Sequence, residues 1–261
     1  MGLLDGKTAL IFGIANDRSI AWGIAEQLHA HGAAIALSYA SDQLERRVLP
    51  LAEKVGASFV EKCDLSDDAE IAALFEGVAR EIGEIDVLVH AVAYAPREAL
   101  TGNFTDTSRE AFRVAMDISV YTLVAVTRSA LPLLSANASI MTLSHYGGEK
   151  VAPNYNVMGA AKAALESSTR YLAAELGPGG VRVNAISAGP IRTLSAAGVS
   201  GFKDYYRSFP VAAPMRRHVE PDDVGNAAVF LASELSRNTT GQVLFVDAGA
   251  NIVLGAGSPE G

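Results

Sequence analysis

Seven short runs of aliphatic and β-branched residues recur along the chain: TALIFG, AAIALSY, ASFVEKC, IDVLVHA, ASIMTLS, VRVNAIS and QVLFVDA. Most are separated by stretches with helical spacing, such as IAWGIAEQLHA at 20–30. A strand that is apolar at nearly every position needs cover on both faces, and an intervening helix provides the crossover that joins parallel strands. The alternation therefore predicts an α/β fold, a doubly wound Rossmann-type parallel sheet of about seven strands with helices on both faces. No Pro/Gly/Ser-rich linker, internal repeat or low-complexity tract breaks the pattern, and Gly32, Gly83 and Gly177–Gly180 fall at element ends. Residues 1–261 read as one domain.

Two segments depart from the rhythm. Tyr94–Thr107 follows the fourth strand and Arg192–Arg217 the sixth, and both are long for strand-to-helix connections. Ligands of open parallel sheets sit outside the carboxyl ends of the strands, where both segments begin, so each is a candidate substrate wall. The first strand leads into GIANDRSIAWGIA, in which Gly13 can turn the chain and the helix start can present backbone N–H groups to a phosphate. The spacing is not GxGxxG, and an ordinary strand-to-helix turn explains a lone glycine equally well. Asp64, after the third strand, suits either an adenine amino group or a cap before the helix near Asp67, and the cap is the simpler reading. Cys63 reads as a small buried hydrophobe.

Composition removes several classes. With 49% hydrophobic and 19% charged residues, the chain can bury a sizeable core. Apolar runs such as ALIF at 9–12 are too short to span a bilayer, and Met1–Gly6 does not resemble a targeting segment. A single cysteine excludes an internal disulfide. A cytoplasmic protein without membrane association is expected. The net charge of −8 and the lack of Lys/Arg runs argue against nucleic acid. No metal site is expected.

The most specific motifs lie between His145 and Thr193: HYGGEKVAPNYNVMGAAKAALE and GVRVNAISAGPIRT. With GKTALIFGIANDRSIAWGIA, DDVGNAAVFLASELS and QVLFVDAG, they make essentially the whole chain resemble the bacterial NADH-dependent enoyl-acyl carrier protein reductases of the short-chain dehydrogenase/reductase superfamily. The resemblance implies hydride transfer from NADH to the β-carbon of a trans-2-enoyl thioester in fatty acid synthesis, with acyl carrier protein as partner and a homotetrameric assembly. It makes Tyr155 the donor to the thioester carbonyl oxygen and Lys162 the residue that holds the nicotinamide ribose and lowers the phenol's pKa. Their seven-residue interval, two turns of a helix, would place both on one face. It assigns Gly13, Ala15, Ser19 and Ile20 to the pyrophosphate, and Asp64 and Leu65 to the adenine. Val92, Ser144, Pro190, Ile191 and Thr193 go to the nicotinamide side. Ala93, Tyr94, Ala95 and Met158 are the acyl-pocket candidates, although Met158 suits core packing as well. Val199 and Phe202 are placed loosely in the second long segment, the expected substrate-binding loop at about 192–217. Lys203, Arg207, Arg216 and Arg217 around it offer a basic patch for an acidic carrier, or simply a solvated face.

Tyr146 and Lys150 also satisfy the YxxxK pattern of ketone-reducing relatives, but Gly147 and Gly148 disfavour the helix on which that pattern lies, whereas Pro153 suits a helix start. Both therefore read as loop residues. His145 stands where the family usually has an outer tyrosine, and an isolated loop histidine is expected to be a solvated or hydrogen-bonded bystander. The second strand ends LSYAS, without an acid for a ribose diol or a base for a 2′-phosphate. NADH is therefore expected over NADPH, with Arg46 and Arg47 as the first cations downstream. Two rivals remain: a short-chain reductase acting on a ketone or a non-carrier enoyl thioester, and a non-catalytic dinucleotide sensor.

Overall fold

The structure is a computed structural model that describes residues 2–253. The sheet consists of β1 (Thr8–Phe12), β2 (Ala34–Tyr39), β3 (Phe59–Lys62), β4 (Ile85–His90), β5 (Leu134–Ser144), β6 (Arg182–Ala188) and β7 (Val243–Val246). All seven strands are parallel, in the order β3-β2-β1-β4-β5-β6-β7, as the alternation predicts. The order reverses between β1 and β4, opening a crevice at the carboxyl edge where their connections run to opposite sides.

Side chains alternate across each strand, so one sheet feeds two cores. Ala9 and Ile11 of β1 face one layer, where α1 (Ile20–Ala30), α2 (Asp42–Lys54) and α8 (Pro221–Ala232) contribute Trp22, Ile24, Leu51, Val224 and Val229. Leu10 and Phe12 face the other, against Phe75 of α3 (Asp68–Glu81), Leu123 of α5 (Thr122–Ala130) and Leu165 of α6 (Val157–Leu176). Helices α1 and α8 cross closely because a β-carbon at Gly23 would strike Pro221 and one at Gly225 would strike the Gly23 carbonyl. At the amino edge, Asp86 ties three strands together: it accepts hydrogen bonds from the Thr8 amide (2.9 Å), Lys7 Nζ (2.9 Å) and the Ser135 hydroxyl (2.8 Å).

The segment Arg109–Leu133 runs through α4 (Arg109–Met116), a π turn at Asp117–Tyr121 and α5. By length and composition it is long and apolar enough to cross a membrane, yet 50% of that stretch is buried within the fold. It acts here as a layer helix.

The second long segment is more ordered than its Gly/Ser content suggests. It contains a short turn at Ala196–Gly198 and a helix, α7 (Phe202–Ala212), which starts where Gly201 takes a left-handed φ of 75°. Aromatic packing accounts for it: Tyr206 stacks on His218 with centroids 3.9 Å apart, and the Arg192 guanidinium lies 4.3 Å from the Tyr206 ring. Tyr94–Thr107 likewise holds two short turns, Arg97–Leu100 and Phe104–Asp106.

Candidate active site

The first wall of the crevice is the turn after β1. Gly13 adopts φ 98°, and a β-carbon there would overlap the Ala91 carbonyl just past β4. Only glycine lets the two strand ends meet at this point. The Ser19 hydroxyl accepts the amides of Ala15 and Asn16, each at 3.0 Å, so those two donors stabilise the turn itself. In the first turn of α1 the amides of Ile20 and Ala21 find no acceptor among the described residues, and there the helix dipole favours an anion. The turn thus fits a pyrophosphate, held by two amides and a glycine that leaves room.

Beyond β3, Asp64 Oδ1 accepts from the Ser66 amide at 2.9 Å and the Ser66 hydroxyl at 2.7 Å, while Asp67 caps α3. Asp64 is exposed, with its second oxygen available. Leu65, expected beside the adenine, buries its side chain in the cluster that includes Ile71, Leu74 and Phe75, so only its backbone is left to face a ligand. On the α2 side, Arg18, Arg47 and Lys54 line a cleft with Asn16, Asp17 and Leu51. Arg46 is exposed and does not line it.

The central wall is built by β4, β5 and α6. Val92, Ala93 and Ala95 follow β4, half-buried, and the exposed Tyr94 between them is fixed by its backbone. Its amide and carbonyl both bond the buried Ser119 hydroxyl at 3.0 Å. Ser119 lies in the π turn and also reaches Met158 Sδ at 3.7 Å, so Met158, 5% exposed, is packed from below and is a core residue first. The π turn is in turn anchored by His90, whose ring nitrogens lie 3.0 Å from Thr142 Oγ1 and 2.8 Å from Thr122 Oγ1. Burial keeps His90 neutral, with its pKa pulled down to about 3.

Helix α6 begins at Val157, four residues after Pro153, because Asn154 and Asn156 adopt positive φ of 62° and 42°. Tyr155 therefore precedes the helix, and only Lys162 lies on it, which corrects the expectation of two residues on one helical face. The turn Tyr146–Gly148 brings them together: a β-carbon at Gly147 would meet the Tyr155 ring, and one at Gly148 would meet the α6 backbone at Lys162. The Tyr155 hydroxyl makes no hydrogen bond with the described residues, and burial pushes its phenol well above the ordinary value of 10.0. Burial shifts the phenol upward, opposite to the lowering by Lys162 that the resemblance implies. Lys162 Nζ donates to the Leu143 carbonyl at 2.7 Å, and burial pulls its pKa down to about 8, with Glu166 opposing. Ser144, Lys162 and Glu166 are each 5% exposed, and the Ser144 hydroxyl donates to Glu166 Oε1. Burial outweighs that bond and raises the Glu166 carboxyl above its usual range.

Of the two states expected of a loop histidine, His145 takes the hydrogen-bonded one: it is half-buried and accepts the Gly147 amide. Its ring centroid lies 4.7 Å from that of Tyr155, and burial together with Lys162 lowers its pKa to about 4. Two glycines let the turn lie flat on α6 and carry His145 inward. Tyr146 turns away to donate to the Asn251 carbonyl at 3.0 Å, with Lys150 over its ring, so this pair is spent outside the crevice.

After β6, Pro190 and Ile191 are buried, and Thr193 Oγ1 accepts the Ala196 amide at 3.1 Å. Val199 packs on the Met158 cluster and Phe202 against Tyr206 at 6.0 Å. Lys203, Arg207, Arg216 and Arg217 are all exposed, with Arg207 paired to Asp204 and Arg216 to the Val211 carbonyl. Sequence reasoning missed Ser119, for which no motif exists, and Glu166, which the four-residue step from Lys162 in KAALE would have disclosed.

A family profile described as enoyl-(acyl carrier protein) reductase matches residues 13–251. The chain is 50% identical over 253 residues to an enoyl-[acyl-carrier-protein] reductase [NADH] of Synechocystis, covering 96% of this chain and 98% of that one. The crystal structure of the NADH enzyme from Aquifex aeolicus superposes with a TM-score of 0.94 at 50% identity, covering 97% and 99% of the two chains. A reductase from Anaplasma phagocytophilum in complex with NAD superposes with a TM-score of 0.93 at 44% identity, covering 99% and 96%.

Proposed function

The chain belongs to the enoyl-(acyl carrier protein) reductase family, and from that premise we propose that it reduces a trans-2-enoyl thioester carried on acyl carrier protein to the saturated acyl thioester with NADH. The observation that carries this reading is the Tyr155 phenol, desolvated, without a protein partner and packed against the turn that also contacts Lys162. NADH, when bound, supplies the hydride for the β-carbon. Negative charge then moves to the thioester oxygen, and a neutral phenol held beside it donates the hydrogen bond that stabilises the enolate. Burial keeps Tyr155 protonated at neutral pH, so it is ready as a donor. Collapse of the enolate with a proton taken from solvent at the α-carbon would give the saturated thioester.

Lys162 has two N–H groups beyond the one given to Leu143, enough for the two hydroxyls of a ribose. Gly13 and the amides of Ile20 and Ala21 would hold the pyrophosphate, and Asp64 the adenine. The backbone of Val92–Ala95, fixed by Ser119, would form the acyl wall together with the 192–217 segment. The exposed Lys203 and Arg207, one turn apart on α7, suit an acidic carrier protein. Exposed Phe112 on α4, Tyr121 in the π turn, Leu131 just after α5 and Tyr171 on α6 suit a homotetramer, readable by light scattering. A cytoplasmic setting accords with the single cysteine.

The test is loss of nicotinamide absorbance with crotonyl-CoA and with enoyl-acyl carrier protein, first with NADH and then with NADPH. Turnover of the enoyl thioesters but not of simple ketones is expected. The cations Arg18, Arg47 and Lys54 make the NADPH arm informative. Activity on ketones alone would overturn the reading.

A further inference from the structure

His145 ends its strand connection with Nδ1 accepting the Gly147 amide at 3.0 Å. A neutral imidazole carries one proton, and the nitrogen that accepts a backbone N–H cannot hold it. The proton is therefore on Nε2. This nitrogen lies round the ring from the Gly147 contact and makes no hydrogen bond with the described residues. It is not among the sealed, unpartnered polar atoms either, so a ligand can reach it. The ring is fixed on its other side by Tyr155, at 4.7 Å between centroids and a 49° tilt. The glycine between them leaves no slack, since a β-carbon at Gly147 would lie 2.5 Å from Tyr155 Cδ1 and 3.1 Å from His145 Nδ1.

We propose that His145 is a substrate-recognition residue whose Nε2–H, locked in one tautomer by the Gly147 amide, donates a hydrogen bond to a carbonyl oxygen of the acyl thioester beside Tyr155. This rests on the enoyl-thioester reading. The donor is neutral: Lys162 on α6 and Tyr155 ahead of it are the titratable groups that face the ring. Glu166 lies one turn further along α6, and Tyr146 is directed outward. His145 thus aids binding without taking part in proton transfer.

The experiment is steady-state kinetics of wild type, His145→Phe and His145→Gln with NADH and crotonyl-CoA from pH 6 to 8. His145→Phe keeps a ring against Tyr155 but has no donor. It is expected to raise KM for crotonyl-CoA about 5- to 10-fold, the worth of one neutral hydrogen bond, with kcat and the KM for NADH within about twofold. His145→Gln restores an N–H and should recover most of that loss. Wild type and His145→Phe should share one pH profile. An unchanged KM in His145→Phe overturns the proposal, as does a titration near an ordinary histidine value that disappears in that variant. Should His145→Phe lose NADH affinity as well, His145→Gln decides: a KM near wild type supports the donor, and a KM as high as that of His145→Phe refutes it. A wild type inactive on every enoyl thioester would instead remove the parent reading.

Discussion

Replacing Lys162 by methionine is expected to stabilise the cofactor-free protein while impairing it as an enzyme. Lys162 is 5% exposed, and burial lowers its pKa from 10.5 to about 8. At about 1.4 kcal/mol per pH unit, that gap corresponds to ~3 kcal/mol of unfavourable burial of the ammonium. The folded chain gives up this proton before the unfolded chain does. The penalty is therefore present in full below pH 8 and is relieved as pH rises from 8 towards 10.5. Methionine removes the charge but leaves the Leu143 carbonyl without its donor, a loss of ~1–2 kcal/mol. The difference is a gain of ~1–2 kcal/mol at pH 7, or a rise in Tm of roughly 3–6 °C. At pH 10 the wild-type amine is neutral in the folded state and still donates to Leu143, so the gain should vanish or change sign. Urea unfolding of both proteins without cofactor, at equal protein concentration and at pH 7 and pH 10, measures this difference. An NADH titration of the variant should show affinity weakened about 10-fold or more, the order of one or two lost charge-assisted hydrogen bonds. A variant less stable at pH 7, or a stability difference identical at the two pH values, would refute the reasoning.

Tyr155→Phe should lower kcat about 10²- to 10³-fold, the usual cost of one donor to a developing oxyanion, with the Kd for NADH within about twofold; wild-type turnover would sink the assignment. Gly13→Ala forces a β-carbon against the Ala91 carbonyl at a φ of 98°; NADH affinity should fall about 10-fold or more and Tm with it, and calorimetry showing neither would deny the close approach. Asp86→Ala should destabilise the fold by ~2–3 kcal/mol at pH 7, because three donors lose their acceptor. Burial pushes the Asp86 carboxyl up, but the Thr8 amide, Lys7 and Ser135 outweigh it and hold it below its ordinary 3.8. Its contribution is therefore complete above that value and is lost as pH falls through the lower folded one, so wild type and variant should converge in acid. The segment containing α7 should exchange amide hydrogens faster than α6 in the free protein and become protected when NAD and a thioester analogue are bound; equal protection in both states would count against closure over the acyl chain.

The sequence by itself determined the layer architecture. Strand runs apolar at nearly every position leave a parallel sheet covered on both faces as the way to bury them, and that sheet fixes which chain ends form the crevice. It also pointed to a reacting pair, because the family resemblance carried by PNYNVMGAAKA implies Tyr155 and Lys162 and leaves Tyr146 and Lys150 as loop residues. Helical spacing misjudged how that pair is arranged. Asn154 and Asn156 at positive φ delay the start of α6, so Tyr155 is positioned by a glycine turn from β5 and not by the helix. Protonation was beyond the sequence altogether, since Tyr155, His145, Lys162 and Glu166 are shifted chiefly by burial, a property of what packs around them. The same holds for Leu65 and Met158, whose side chains pack into the core, and for the Arg192–Arg217 segment, where Arg192, Tyr206 and His218 stack to order a helix that local composition disfavours. Periodicity and motif are written along the chain and survive without its fold; desolvation, tautomer and stacking exist only between residues that folding brings together.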